Sequence, residues 1–303
     1  MKKKFLRRLI AVGTTALIAV GSVAMLAGCT TSNNPEVTIT YTFNGQDYAV
    51  DYRLSRVDAP QTVQHFIELA DAGFYDGLVV HDYQNYTICS GGYRLVDGEL
   101  EEIDYLTTVK ALEQEQGITF TQSVWADAAR TQPTYTVYGE FSANGAEQEN
   151  GKEYDHAEGA LVMYYTQKKA TDGGTDEQVW VERADGGAAN YGEKYQDAGY
   201  ERNSTTSLFY TFTGESRTEA DAVYCVIGMA KDYEGQLADG LLAAIEEYEE
   251  SLDEEDSFTD TQENVKLNQY DYFDAVRKGG FTDDFETPVD MPIIIKSVVV
   301  NKY

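Results

Sequence analysis

The sequence predicts a mainly β protein, a barrel or sandwich capped by helices. Three observations predict it. Short runs of bulky apolar residues recur along the chain, Gly and Asn turn signals separate them, and few segments keep helical spacing. Val37–Phe43 alternates apolar and polar residues like a half-buried strand. Asn44-Gly45 is a hairpin turn, and Tyr48–Leu54 supplies the return strand. Asp58 and Pro60 then open a helix as cap and first-turn residue. Val63, Phe66, Ile67 and Ala70 form its apolar stripe, and Gly73 ends it.

Strand character returns at Leu78–Tyr83 and Tyr86–Cys89, followed by Gly91-Gly92. From Glu99 to Glu115 the pattern is helical, with Ile103, Leu106, Val109 and Leu112 one turn apart. Val137–Phe141, Ala160–Tyr165, Leu208–Phe212, Val223–Met229 and Pro292–Asn301 read as strands. Leu237–Tyr248 reads as an amphipathic helix, and Ser251–Asp260 as an acidic break. The stretch from Thr166 to Thr206 is long for a plain loop, so it reads as an insertion with structure of its own.

Charge narrows the function classes. The chain has 303 residues and a net charge of −29. All charge before residue 29 is basic (Lys2, Lys3, Lys4, Arg7, Arg8), so the remainder carries 18 basic against 52 acidic residues, or −34. Such a body repels phosphate backbones and anionic lipid, which argues against nucleic-acid binding. Apolar content of 42% suffices for a real core.

The basic start is followed by an uncharged run from Leu9 to Gly28, the layout of a signal peptide. The run ends in Leu26-Ala27-Gly28-Cys29, which resembles the lipobox of bacterial lipoproteins, where the Cys is diacylated and becomes the mature N-terminus. The competing reading is an uncleaved signal anchor. The expected division is a signal peptide at 1–28, a tether at 29–35 and one domain at 36–303. The protein is then expected on the extracytoplasmic face of a bacterial cell membrane, held by lipid on Cys29. Cys89 and Cys225 remain, either as buried thiols or as a disulfide.

Seven blocks, in order, resemble the cyclophilin family of peptidyl-prolyl isomerases. They are Asp58-Ala59-Pro60 through Phe66; Gly73-Phe74-Tyr75-Asp76-Gly77 with Val80-His81; Tyr138-Gly139-Glu140-Phe141 through Gly145; His156 with Gly159 to Met163; Ser207-Leu208-Phe209-Tyr210; Tyr224 to Gly228; and the terminal Pro292–Asn301 run. The resemblance implies an eight-stranded antiparallel β-barrel capped by two helices, with insertions at about 97–134, 166–206 and 231–290. These insertions, polar and Gly-rich, are expected outside the core.

Proline isomerisation needs an apolar grip on the proline and a hydrogen-bond donor for the pyramidal nitrogen of the twisted amide, whose barrier is about 18–20 kcal/mol. In the family an Arg donates, directly after the Phe-His pair. Here that position is Asp82, and a carboxylate accepts rather than donates. The other groove positions fall on Thr87, Ile88, Ser90, Met163, Leu208, Tyr210 and Tyr224. Arg94, on the next stretch, is a substitute donor that no motif supports.

His65, His81 and His156 lie inside matched blocks and read as structural. Asp253–Asp256 lacks EF-hand spacing and reads as a solvated loop. Tyr191, Tyr195 and Tyr200 are either a contact surface or packing. No metal or cofactor is implied. The expected partners are proline-containing polypeptides, and the expected function is weak peptidyl-prolyl isomerisation on secreted or surface polypeptides. The alternative is a non-catalytic peptide- or protein-binding module, a pseudo-isomerase or holdase.

Overall fold

The computed structural model describes residues 32–84, 86–141, 144, 146, 154–165, 178–182, 195–200, 202–214, 224–267 and 282–303. Cys29 and the stretch read as a signal peptide lie outside these, as does Tyr191. Strands β1 (Glu36–Phe43) and β2 (Gln46–Leu54) form the expected hairpin around Asn44-Gly45, both at positive φ. Helix α1 (Pro60–Asp71) follows. Next come β3 (Asp82–Gln84), β4 (Thr87–Ser90), β5 (Tyr93–Val96) and β6 (Glu99–Glu102), and then α2 (Tyr105–Gln116). The chain continues through β7 (Val124–Trp125), β8 (Ala160–Met163), β9 (Gln178–Glu182), β10 (Tyr195–Gly199), β11 (Phe209–Phe212) and β12 (Cys225–Ala230). A π-helical stretch, Tyr233–Leu242, runs into α3 (Ala243–Ser251). Strands β13 (Asp260–Lys266), β14 (Thr282–Thr287) and β15 (Ile294–Lys302) complete the described chain.

Eight strands form one sheet in the order β15-β1-β2-β12-β8-β11-β4-β3, every pair antiparallel. The sheet curls until its edges meet. Just before β3, Gly77 N–H donates to Ile295 O (2.8 Å) and Val80 N–H to Ile293 O (2.9 Å), while Ile295 N–H donates to Leu78 O (2.7 Å). Alternation then divides the side chains. Val37, Ile39, Tyr41 and Phe43 of β1 join Leu161, Met163, Phe209, Cys225 and Ile227 in the interior, closed by Val63, Phe66 and Ile67 of α1. Gly91 turns at φ +100°, where a Cβ would stand 2.2 Å from Ser207 O, so β4 leaves toward β5 only through glycine.

The insertions do not stay out of the core. Tyr105, Val109 and Phe120 from the first, and Leu237, Leu241, Ile245 and Phe258 from the third, belong to the main cluster. The reason is their apolar stripes: α2 packs Tyr105 on Phe74, the helix after β12 packs Tyr248 on Phe43, and both stripes join the main cluster. The middle insertion differs. Val179, Val181 and Tyr200 pack with Val124, Val137 and Tyr138 in a cluster of their own.

Three local readings are corrected. Residues 99–102 pair with β5 as a strand, and the helix starts only after Asp104, whose carboxylate accepts from Thr107 N–H (3.0 Å). Val137–Phe141 forms no strand, only a bridge from Val137 to Thr205. Asp58 does not cap α1. The carboxylate of Glu140 does, accepting from Thr62 N–H (2.8 Å), Thr62 Oγ1 (2.7 Å) and Gln61 N–H (3.3 Å). Glu140 is buried, and burial pushes its carboxyl up to about 7 against the opposing pull of these bonds.

Candidate functional site

The positions that the resemblance assigns to the groove lie on β3, β4, β8, β11 and the approach to β12, but not all on one face. The register places Asp82 opposite Cys89, Cys89 opposite Tyr210, and Tyr210 opposite Val162. This row lies on the side of the sheet away from the main cluster and is itself buried, with Cys89, Val162 and Tyr210 packed in a second cluster. Thr87, Leu208 and Tyr224 share its parity along their strands. Ser90 and Met163 stand in the neighbouring row, both opposite Phe209, and face the interior. Ser90 Oγ donates to Val79 O (2.7 Å), and Met163 is fully buried in the main cluster with Ile88. The structure thus gathers Asp82, Thr87, Leu208, Tyr210 and Tyr224, and sets Ser90, Met163 and Ile88 behind them.

The outer face is aromatic. The Tyr210 hydroxyl shares a 2.7 Å hydrogen bond with His156 Nε2. Tyr224 stacks on His156 at 5.3 Å, and Tyr164 meets Tyr210 edge-on at 5.1 Å. Cys89 Sγ lies 3.7 Å from the Tyr164 hydroxyl. Burial, with the nearby Asp82 carboxylate, pushes the Cys89 thiol up to about 12, so it stays protonated. Cys225 is in the interior cluster, so the two cysteines sit on opposite faces of the sheet and form no disulfide.

Asp82 is 8% exposed. Its carboxylate accepts from the backbone N–H of Glu286 on β14 (3.0 Å) and from Gln84 Nε2 (3.1 Å). Burial, with smaller contributions from the charges of Glu286 and Asp283, raises its pKa. Leu208, also buried, packs with Val79, Tyr93, Leu267 and Phe285. Strands β13 and β14 therefore cover this end of the face. Arg94 does not reach it: Tyr93 and Leu95 on either side turn into the cluster beside Leu208, and Arg94 is exposed opposite Glu101.

The histidines are held by neighbours. His65 Nε2 bonds with Thr206 O (2.8 Å), and His81 lies between Tyr93 (4.5 Å) and Phe285 (4.9 Å). Burial drives the His81 pKa down to about 3, so its ring is neutral. Tyr200 is core packing of the middle insertion rather than contact surface; Tyr195 lies on β10.

Residues 38–176 match the model of the family described as cyclophilin type peptidyl-prolyl cis-trans isomerase/CLD. The matched segment is a little under half of the chain. Two solved structures of a cyclophilin-type peptidyl-prolyl cis-trans isomerase from Cryptosporidium parvum are similar over most of the chain. One is 14% identical with a TM-score of 0.40, covering 89% of this chain and 99% of that one. The other, solved in the presence of the dipeptide Ala-Pro, is 15% identical with a TM-score of 0.40 and covers 88% and 99%. At these values they add nothing to the fold read from the strands. A comparison with curated proteins gives no match.

Cys89 and Tyr164 are residues of this face that sequence reasoning missed, and His156, read there as structural, packs with them through Tyr210. A period of two from Thr87 would have reached Cys89 rather than Ser90, and from Val162 it would have reached Tyr164 rather than Met163. Nothing in the sequence pointed to Glu286, which is 204 residues from the carboxylate it meets.

Proposed function

We propose that this chain is a lipid-anchored, extracytoplasmic cyclophilin-type protein that engages proline-containing segments of secreted or surface polypeptides with little isomerase catalysis. One observation carries the reading. The residue at the family's donor position is a buried carboxyl group that accepts from Glu286 N–H and Gln84 Nε2. Carboxyl oxygens already taken by Glu286 N–H and Gln84 Nε2 present no guanidinium-like donor to a twisted amide nitrogen. The outer aromatic face is chemistry that suits proline rings, and it supports peptide binding without turnover.

Titration of the native protein with a proline tetrapeptide tests the engagement. It should shift the resonances of Thr87, Tyr164 and Tyr224 at the rim of the face. If they stay fixed while residues elsewhere move, the binding site is not this face.

Anchoring rests on Leu26-Ala27-Gly28-Cys29 after a basic start. Cys29→Ala should leave an unprocessed precursor or release the protein from membrane fractions. Unchanged size together with unchanged detergent partitioning would refute the lipobox.

A further inference from the structure

Strands β13 and β14 form a two-stranded ribbon that shares no ladder with the eight-stranded sheet. It is held across the Asp82 end of the face by few contacts. Phe285 sits edge-on to His81 (4.9 Å) and Tyr93 (5.6 Å) and, with Leu267, covers Leu208. Glu286 N–H reaches Asp82, and Thr287 Oγ1 donates to His81 O (2.6 Å). A second fastening joins the ribbon to the β5–β6 hairpin: Tyr93 donates to Lys266 O (2.7 Å), and Lys266 Nζ pairs with Glu102 (2.7 Å).

About half of the ribbon is wet. Asp260, Thr261, Glu263 and Asn264 on β13, and Asp283 and Asp284 on β14, are exposed. The closed contact is also imperfect. His81 Nδ1 is buried beneath it without a hydrogen-bond partner, and the charges of Glu286 and Asp283 bear on Asp82 with the same sign. Opening would hydrate both.

We propose that the β13–β14 ribbon is an autoinhibitory strap, a detachable cover over one end of the groove, whose release opens a site for proline peptides carrying a cationic residue beside the proline. The inference rests on the reading of the outer face as a peptide groove. Release strips the Glu286 N–H from Asp82 and Phe285 from Leu208. That leaves a carboxylate next to an apolar wall of Leu208 and Tyr164, which share the strap's cluster. The wall suits a proline ring and the carboxylate a lysine or arginine side chain. The −34 body attracts the same ligands over longer range.

The test compares the mature protein with its Phe285→Ala/Thr287→Val variant. Amide hydrogen exchange at Glu286 reports whether the strap has opened. Fluorescence anisotropy with labelled Ala-Lys-Pro-Ala and Ala-Glu-Pro-Ala reports the site. The variant should exchange Glu286 faster and bind the Lys-Pro peptide at least tenfold more tightly than the native protein does, with no gain for the Glu-Pro peptide. An opened strap without a gain overturns the proposal, and an equal gain for both peptides overturns its cationic selectivity.

Should Glu286 stay protected, a variant with residues 259–288 replaced by a Gly-Ser linker decides by anisotropy with the same two peptides. Loss of cooperative unfolding in both variants also overturns the proposal, because the ribbon would then be core rather than cover. Native protein that binds the Lys-Pro peptide as tightly as the released forms sinks the strap alone. Failure of native and released forms to bind either peptide sinks the groove reading itself.

Discussion

Asp82→Arg alone should leave proline isomerisation within about tenfold of the native protein, while Asp82→Arg combined with Thr87→Phe and Leu208→Gln should raise it by up to about 10²-fold. The physical reason lies in what surrounds residue 82. A guanidinium there enters a site under β14 with the Glu286 and Asp283 carboxylates close enough to bias its charge. Those groups engage the new donor before a substrate does. The Glu286 N–H meanwhile loses its acceptor. Thr87 and Leu208 share the outward parity, so rebuilding them changes the pocket itself. Leu208→Gln also places an amide among Val79, Tyr93 and Phe285, at a cost of about 1–3 kcal/mol if it finds no partner. The triple variant should therefore gain activity and lose stability together. A coupled protease assay and a urea melt on each variant check both halves. A single Asp82→Arg variant as active as the triple would show that the pocket was never deficient.

Glu140 should cost the folded protein about 3 kcal/mol of stability as pH rises from 4 to 8, and Glu140→Gln should remove that contribution. Glu140 holds the first turn of α1 from inside the protein, and its carboxyl sits at about 7 against an ordinary 4.5. Folding therefore tightens its grip on the proton. Below the ordinary value both states are protonated and no cost arises. Between the two values the folded protein keeps the proton that the unfolded chain has released, so each step up in pH favours unfolding. Above the folded value the cost is complete, and 1.36 kcal/mol per unit sets its size at about 3 kcal/mol. The glutamine keeps an acceptor for Thr62 N–H and has no proton to lose. The check is the free energy of urea unfolding across this range for both proteins. Parallel curves would mean that Glu140 titrates near its ordinary value.

The strand frame was legible because alternation is local. Val37–Phe43 declares its buried face in seven residues, and Asn44-Gly45 fixes the hairpin register. The outer face was half legible. Motif order located its strands, but it assigned Ser90 and Met163 to a row that the pleat turns inward. The α1 cap was misread because Asp58, next to the helix, has the local signature, whereas the group that binds is 78 residues away in Glu140. The strap had no sequence signal at all. The residues that hold it, Phe285, Glu286 and Thr287, lie in an acidic stretch without a motif, and their meaning comes only from meeting Asp82, His81 and Leu208 across the fold.

The central claim is that a cyclophilin-type frame here carries a groove without its donor. The most direct test is the cis–trans isomerisation rate of a proline tetrapeptide with the native mature protein, followed in a coupled protease assay against the uncatalysed rate. Losing one aimed donor commonly costs about 10²–10³ in rate, so the account predicts a trace that stays close to the uncatalysed one as protein is added. A rate that climbs in proportion to protein, at the level of cyclophilins with an Arg in the groove, and that survives Asp82→Asn would contradict it, because catalysis would then run through a donor this face does not contain.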